Sequence, residues 1–211
     1  MKPTVIGALG AIIIGIGGTL AASAGEYSGP GFSGVAWYGK GGTADQKMGP
    51  INVDRPGYRM EVHEQGQNVT VLVLWDQDKS YSLMMDQKMY LEVPSEQTGD
   101  TASDFDGEPC DGYMNSKKIG SETVNGRSTE KWRCTGELQP EPGTSGTDST
   151  NWFDREIGFP VRDVKDNGEV FEIRDIAVGR QDASLFKIPA GFKKLDMNAM
   201  MQQMMRQQQG Q

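Results

Sequence analysis

The sequence predicts a mainly β fold of the α+β class, built on an antiparallel sheet. Apolar and polar residues alternate with a period of two, as in Tyr58, Met60 and Val62 and the polar residues between them. Short turn sequences punctuate these runs at regular intervals, which is typical of a β-meander. The dipeptide Asn125-Gly126 lies between two such runs and suits the type I′ turn of a hairpin.

The elements follow one another from Val35 onward. A strand over 58–63 turns at Gly66-Gln67 into a second strand over 69–75, and two further strands cover 81–85 and 89–93. The meander stops at Pro94, and a polar, acidic stretch over 95–116 is expected to cross the sheet or form a short helix. The later elements are hairpins over 119–124 with 128–135 and 159–164 with 170–178, separated by a loop over 136–150.

The strand over 69–75 is apolar on both of its faces. Val69, Val71, Val73 and Trp75 point to one side, and Leu72 and Leu74 point to the other. A strand in a one-sided sheet needs a single apolar face. We therefore expect a helix, a second sheet or a bound apolar molecule to cover the second face.

The first residues predict export. Lys2 precedes an uncharged, mostly apolar run over 5–22, and Ala22-Ser23-Ala24 fits the small-residue pattern that signal peptidase accepts. We interpret residues 1–24 as a cleaved signal peptide and place the protein in the periplasm. The rival interpretation is an uncleaved anchor, because the run is just long enough to cross a bilayer. The glycines within the run and the cleavage-like sequence favour cleavage.

The remaining chain is expected to hold one domain. Residues 25–34 form a flexible glycine-rich segment, 35–195 form the domain, and 196–211 form a Met- and Gln-rich tail that could fold as a short helix. The segment 29–34 matches the dinucleotide fingerprint Gly-x-Gly-x-x-Gly. That motif needs a preceding strand, and here it follows a cleavage site, so the match is a false positive.

Charge and cysteines exclude several functions. The formal net charge is −8, and such a surface repels phosphate backbones and anionic lipid headgroups, which argues against nucleic-acid binding. After cleavage we expect no membrane span. Cys110 and Cys134 are the only cysteines, and in an oxidising compartment a pair of this kind predicts a structural disulfide. A redox pair is disfavoured because the two are not arranged as Cys-x-x-Cys.

No pattern supports catalysis, and we expect no enzyme and no cofactor. The single histidine, His63, lies at a polar position of its strand, and the sequence contains no Gly-x-Ser-x-Gly or His-Glu-x-x-His motif. The acidic residues of the long connection do not follow the EF-hand spacing, so a solvated loop is preferred to a calcium site. These residues are Asp100, Asp104, Asp106, Glu108 and Asp111.

The second half of the chain carries a pattern that resembles a known family. Trp152-Phe-Asp154, Gly158-Phe-Pro160-Val-Arg162 and the closing 184–192 with its Phe-x-x-Pro-x-Gly are similar to uncharacterised secreted bacterial proteins related to the LolA and LolB lipoprotein carriers. The resemblance implies a curved antiparallel sheet that forms an incomplete β-barrel, with a few short helices or loops over its concave face. In the carriers the concave side shelters acyl chains. The carriers' helix before the first strand has no convincing counterpart here.

These observations lead to a candidate ligand-binding cavity. Large or deformable apolar side chains suit surfaces that receive variable apolar shapes. The candidate residues are Trp37, Val71, Val73, Trp75, Met84, Met89, Trp152 and Phe171. A filled core is the alternative use of the same residues.

Three functions remain open at this point. The first is a periplasmic carrier or binding protein for an apolar or acylated ligand, such as a lipid or lipoprotein. The second is an envelope interaction protein with a filled core, which acts through the sheet edge or the tail. The third is a Cu(I)-handling protein, because thioether sulfur is a soft ligand. Its candidate ligands are Met197, Met200, Met201, Met204 and Met205.

Overall fold

The computed structural model describes residues 27–64, 67–75, 79–94, 107–137 and 147–195. The predicted signal peptide, the Met-rich tail and most of the acidic connection lie outside the described residues. A single short 3₁₀ helix, Ala183–Phe186, accompanies the strands in the described part of the chain. The strands are β1 (Phe32–Gly39), β2 (Gln46–Asp54), β3 (Gly57–Glu64), β4 (Gln67–Leu74), β5 (Lys79–Met84), β6 (Met89–Pro94), β7 (Tyr113–Val124), β8 (Arg127–Glu137), β9 (Ser149–Asp154), β10 (Phe159–Lys165), β11 (Val170–Val178) and β12 (Lys193–Lys194).

All of these strands join one curved, open sheet. Its 12 strands run in the order β12-β6-β5-β4-β3-β2-β1-β11-β10-β9-β8-β7, and the sheet does not close into a barrel. Neighbouring strands are antiparallel except for the short β12, which pairs parallel to β6. The predicted fold class is therefore confirmed.

The hairpins predicted from turn sequences are present in their expected register. Asn125 and Gly126 have positive φ angles of 49° and 79°, as a type I′ turn requires, and Val124 pairs with Arg127 across them. Strands β3 and β4 pair from Gly57 with Leu74 to Glu64 with Gln67. Local turn chemistry thus sets the pairing within each hairpin.

Three features differ from the sequence-based expectation. Strand β1 begins at Phe32, inside the segment expected to be flexible, because Phe32 packs in the core. Strands β2 and β9 were not predicted as such. Strand β2 contains Gly49 and Pro50, which weaken a strand signal, and β9 begins at Ser149 within a stretch that was predicted to be a loop.

One face of the sheet carries the main core, and we call it the interior face. Register places Ile51, Met60 and Val71 in one row on this face, and Ala36 with Ile173 in another. Buried residues from β1 to β4 and β9 to β11 form a single cluster. Phe32 on β1 and Phe159 on β10 meet edge to face at 5.4 Å although β11 lies between their strands. Curvature therefore lets the sheet cover much of its own interior face.

The opposite face of β4 and β5 is covered by the C-terminal clasp, residues 183–195. Phe186 is buried against Leu72, Leu74, Tyr81 and Leu83, with Leu185, Ile188 and Phe192 around it. Asp182 caps the 3₁₀ helix by accepting a hydrogen bond from the Ser184 amide at 2.8 Å. Lys194 then pairs with Glu92 of β6 at 2.7 Å. The second apolar face of β4 is thus buried by a helix and its flanking residues.

The clasp yields a stability prediction. Phe186→Ala removes a ring that is 4% exposed and leaves a cavity between clasp and sheet, so we expect the free energy of unfolding to fall by about 3 kcal/mol. Val178→Ala, at a side chain that is 45% exposed, should change it by less than about 0.5 kcal/mol. Urea denaturation measures both, and equal effects would contradict the clasp's role.

The predicted disulfide is confirmed. Cys110 and Cys134 are bonded, with a sequence separation of 24. Cys134 lies on β8, and Cys110 lies in the turn that leads into β7. The bond therefore fastens the end of the long acidic connection to the sheet.

The disulfide yields a second prediction. Replacing both cysteines with alanine should lower the free energy of unfolding by about 3 kcal/mol, because the unfolded chain regains the entropy of a loop of this length. Thermal unfolding monitored by circular dichroism measures the change. Reduction of the wild-type protein should lower its Tm as well, and the same reductant should leave the double variant unaffected.

Candidate functional site

Three rows of mostly apolar side chains lie on the interior face from β3 towards β6. The first row contains Val62, Val69, Met84 and Met89, and the second contains Met60, Val71, Ser82 and Leu91. The third contains Tyr58, Val73 and Ser80. The interior face therefore remains largely apolar as far as β6.

Burial along these rows decreases from β3 towards β6. Met60 and Val62 are 2% and 4% exposed. The side chains beyond them are half-buried, and we call this set the apolar strip: Val69, Val71, Met84, Met89 and Leu91. The strip continues the core face to a place where the protein's own side chains cover it incompletely. Its two methionines are flexible and polarisable, so they can adapt to the shape of an apolar molecule.

The structure separates the predicted cavity residues into groups. Met84, Met89 and Val71 lie together in the apolar strip. Val73, Trp75 and Phe171 are at most 5% exposed and belong to the main core cluster. Trp75 also donates its indole N–H to the backbone oxygen of Asp54 at 3.0 Å. The remaining two, Trp37 and Trp152, lie in a different row, although Trp152 is 7% exposed and belongs to the same core cluster.

That row lies on the face opposite to Phe171. Trp37 is in register with Glu172, Glu172 with Arg162, and Arg162 with Trp152. Arg174 lies 4.4 Å from the centre of the Trp37 ring, and Arg162 lies 5.3 Å from that of Trp152. Glu172 accepts from both arginines, at 2.6 and 2.8 Å. The two tryptophans therefore belong to a ladder of aromatic rings and paired charges.

Polar side chains enter the interior face on β9 and β10. The Asp163 carboxylate accepts hydrogen bonds from Ser149 Oγ at 2.9 Å and from Asn151 Nδ2 at 3.4 Å. Burial raises the pKa of Asp163 to about 6, although both hydrogen bonds favour its charged form. Nearby, Lys165 and Glu137 form an ion pair at 3.1 Å, with side chains 8% and 6% exposed.

A cavity of about 380 Å³ lies beside the N-terminal segment. The Tyr27 hydroxyl, 2.7 Å from the Ile157 carbonyl, holds this segment against the turn between β9 and β10. Arg155 stacks over Phe153 and pairs with Glu108 and Glu130, each at 2.8 Å. The positive charge that Arg155 brings to the cavity is therefore already neutralised. The cavity is lined by Tyr27, Ser28, Gly29, Pro30, Gly107, Glu108, Phe153, Arg155, Glu156 and Gly158.

The sequence also contains a histidine, candidate metal ligands and a candidate membrane span. His63 is exposed, as expected, with its Nδ1 3.4 Å from the Met48 carbonyl oxygen. Within the described ranges, no group of three or more His, Cys, Asp or Glu residues is placed to hold a metal ion. The same residues include no helix with the length and apolar character needed to cross a membrane. The five candidate copper-binding methionines lie outside the described residues, and their role stays a prediction.

Sequence reasoning missed several residues of the interior face. Leu91 completes the apolar strip, and Asp163 and Asn151 form its polar counterpart on β9 and β10, beside Trp132 of β8. Strand alternation assigns Leu91 to the same face as Met89, so this residue could have been found. Asp163 could not, because its neighbours depend on the bulge between Pro160 and Arg162.

No family model and no curated protein matches the chain. Solved structures with a similar fold include an uncharacterized conserved protein from Thermus thermophilus, at 8% identity and a TM-score of 0.49 over 80% of this chain and 91% of that chain. PNGF-II matches at 8% identity and a TM-score of 0.49 over 82% of this chain, which spans 32% of that chain. The Mycobacterium tuberculosis lipoprotein LppX matches at 18% identity and a TM-score of 0.40 over 67% of this chain and 84% of that chain.

The raised pKa of Asp163 yields a third prediction. A carboxyl group that is harder to ionise when folded stabilises the protein below its unfolded pKa and loses that contribution as pH rises through about 6. Asp163→Asn should therefore raise the free energy of unfolding at pH 7.5 by about 2 kcal/mol, and by much less at pH 4. Urea denaturation at the two pH values measures this difference, and a variant destabilised at pH 7.5 would contradict it.

Proposed function

We propose that this protein is a non-enzymatic, extracytoplasmic binding protein or carrier for an apolar or acylated ligand. The observation that carries the proposal is the apolar strip on β4 to β6. It is continuous with the core, lies on the interior face of a curved sheet and is half-buried. Apolar surface in this position gains about 25 cal/mol for each Å² that a ligand removes from water.

The placement of the strip favours a ligand over ordinary surface exposure. The clasp packs on the opposite face of β4 and β5, so these strands are buried on that side. The strip itself combines β-branched valines on β4 with flexible methionines on β5 and β6. Flexible side chains on a packed sheet suit the binding of acyl chains of different lengths.

A second candidate function is contact with another envelope protein. Strand β7 is the last strand of the described sheet, and the side chains of Met114 and Ile119 on it are 68% and 50% exposed. An edge strand of this kind can accept an added strand from a partner. This candidate uses the sheet edge and leaves the apolar strip without a role.

The first test is intact mass measurement of the protein purified without detergent. Under native mass spectrometry, a carrier should retain lipid and release it on unfolding. Protein that carries no lipid and does not bind acyl probes would contradict the carrier proposal. That result would favour the contact with an envelope protein.

The second test uses a dansyl-labelled undecanoic acid and matched variants. Met84→Glu places a carboxylate in the strip, and a bound acyl chain would remove this charged group from water. We therefore expect the affinity for the probe to fall at least about tenfold. Met114→Glu makes the same chemical change at the exposed edge strand and should leave binding unchanged. Thermal unfolding of both variants shows whether they are folded. Equal affinity of the two variants would contradict the assignment of the strip.

A further inference from the structure

One row of side chains crosses the interior face from β1 to β7. Two polar residues lie in the middle of this row, with aromatic residues on either side of them. Residues directly opposite one another in such a row have Cβ atoms about 5 Å apart. Asp163 and Asn151 therefore lie side by side, with Phe171 and Trp132 on either side of them. In order the row contains Tyr38, Phe171, Asp163, Asn151, Trp132 and Lys118.

Asn151 carries a buried acceptor without a partner. The residue is 8% exposed, and its Nδ2 donates to Asp163 Oδ2 at 3.4 Å. This bond fixes the amide orientation, because the opposite orientation would set two acceptor oxygens against each other. The Oδ1 atom is buried and accepts no hydrogen bond from the described part of the protein. A donor from a ligand at this position would satisfy this acceptor, which otherwise loses its hydrogen bonds to water on burial.

Asp163 provides a negative charge beside that acceptor. Its Oδ2 accepts both hydrogen bonds, and its Oδ1 accepts none from the residues that the structure describes. Asp163 is half-buried, as is Trp132, so a ligand can reach this carboxylate from solvent, whereas a donor reaches the buried Asn151 Oδ1 only when the side chains around it move apart.

The surrounding charges leave Asp163 without a cation of its own. Lys165 on the same strand lowers the pKa of Asp163 and Glu137 raises it, and these two groups are paired with each other at 3.1 Å. Lys118, at the far end of the row, is bound by Glu130 at 2.6 Å. Strands β9 and β11 contribute Asn151, Ser149 and Phe171 beside Asp163, none of which is charged.

We propose that this patch binds the primary ammonium group of a ligand. An ammonium group offers N–H donors to Asn151 Oδ1 and Asp163 Oδ1, and the faces of aromatic rings attract its charge. Asp163 would repel an anionic group. An uncharged donor would leave the negative charge of the Asp163 carboxylate without a positive partner. The assignment goes beyond the carrier proposal, because it uses a different part of the interior face from the apolar strip.

The test compares two small molecules of similar shape. At pH 7.5, n-butylammonium should bind the wild-type protein about tenfold more tightly than 1-butanol, since one buried charge pair accounts for a factor of this size. The Trp132 indole signal in NMR titrations reports binding beside the patch. Lowering the pH through 6 protonates Asp163 and should reduce this preference.

Variants of equal charge locate the site. Asp163→Asn should bring the two affinities to within about twofold of each other. Asp175→Asn removes the same charge from an exposed position with φ of 55°, which asparagine tolerates, and should keep the tenfold preference. Failure of n-butylammonium to bind the wild-type protein, or equal binding to wild type and Asp163→Asn, would overturn the assignment.

A longer probe distinguishes a free amine from an amine-bearing amphiphile. If the natural ligand has an acyl chain, decylammonium should bind the wild-type protein at least about tenfold more tightly than n-butylammonium, because its longer chain removes more apolar surface from water. If the ligand is a small amine, the two probes should bind with similar affinity. Either pattern supports the ammonium site, and the second pattern counts against the carrier proposal alone.

Discussion

A single-layered sheet has two faces to bury and no second sheet to bury them. Here curvature brings distant strands of the interior face together, as in the contact between Phe32 and Phe159, and the N-terminal Tyr27 packs between Trp75 and Phe159. The clasp covers the other face of β4 and β5 with Phe186. The apolar strip lies where neither arrangement completes the burial, and this incomplete burial is the basis of the proposed binding of an apolar ligand.

Asp54 connects the parts that make this burial possible. Its carboxylate is 1% exposed and accepts from the amides of Arg55 and Gln181, at 2.7 and 2.8 Å. Its backbone oxygen accepts from the Trp75 indole. Gly31 approaches so closely that a Cβ there would lie 2.6 Å from Asp54 Oδ2. One carboxylate therefore joins the β2–β3 turn to the segment that leads into the clasp, and a side chain at Gly31 would displace it.

The interior face has an apolar part and a polar part. Strands β4 to β6 present valine, methionine and leucine, whereas β8 to β10 present Asp163, Asn151 and the Lys165–Glu137 pair. Burying these polar groups costs stability unless they are paired, and Asn151 Oδ1 remains unpaired in the described part of the protein. The two parts therefore offer a ligand different chemistry, with apolar surface on the strip and a carboxylate at Asp163.

The sequence by itself determined the β class, the hairpins and the disulfide, because alternation, turn dipeptides and cysteine number are local signals. It also showed that both faces of β4 must be covered. The tertiary structure decided what covers them and which side chains share a row. Bulges at 33/35, 36/37 and 160/162 shift the register between strands, so Trp37 lies with Glu172 and Asp163 lies with Phe171. Such pairings join residues that are distant in sequence, and no local pattern records them.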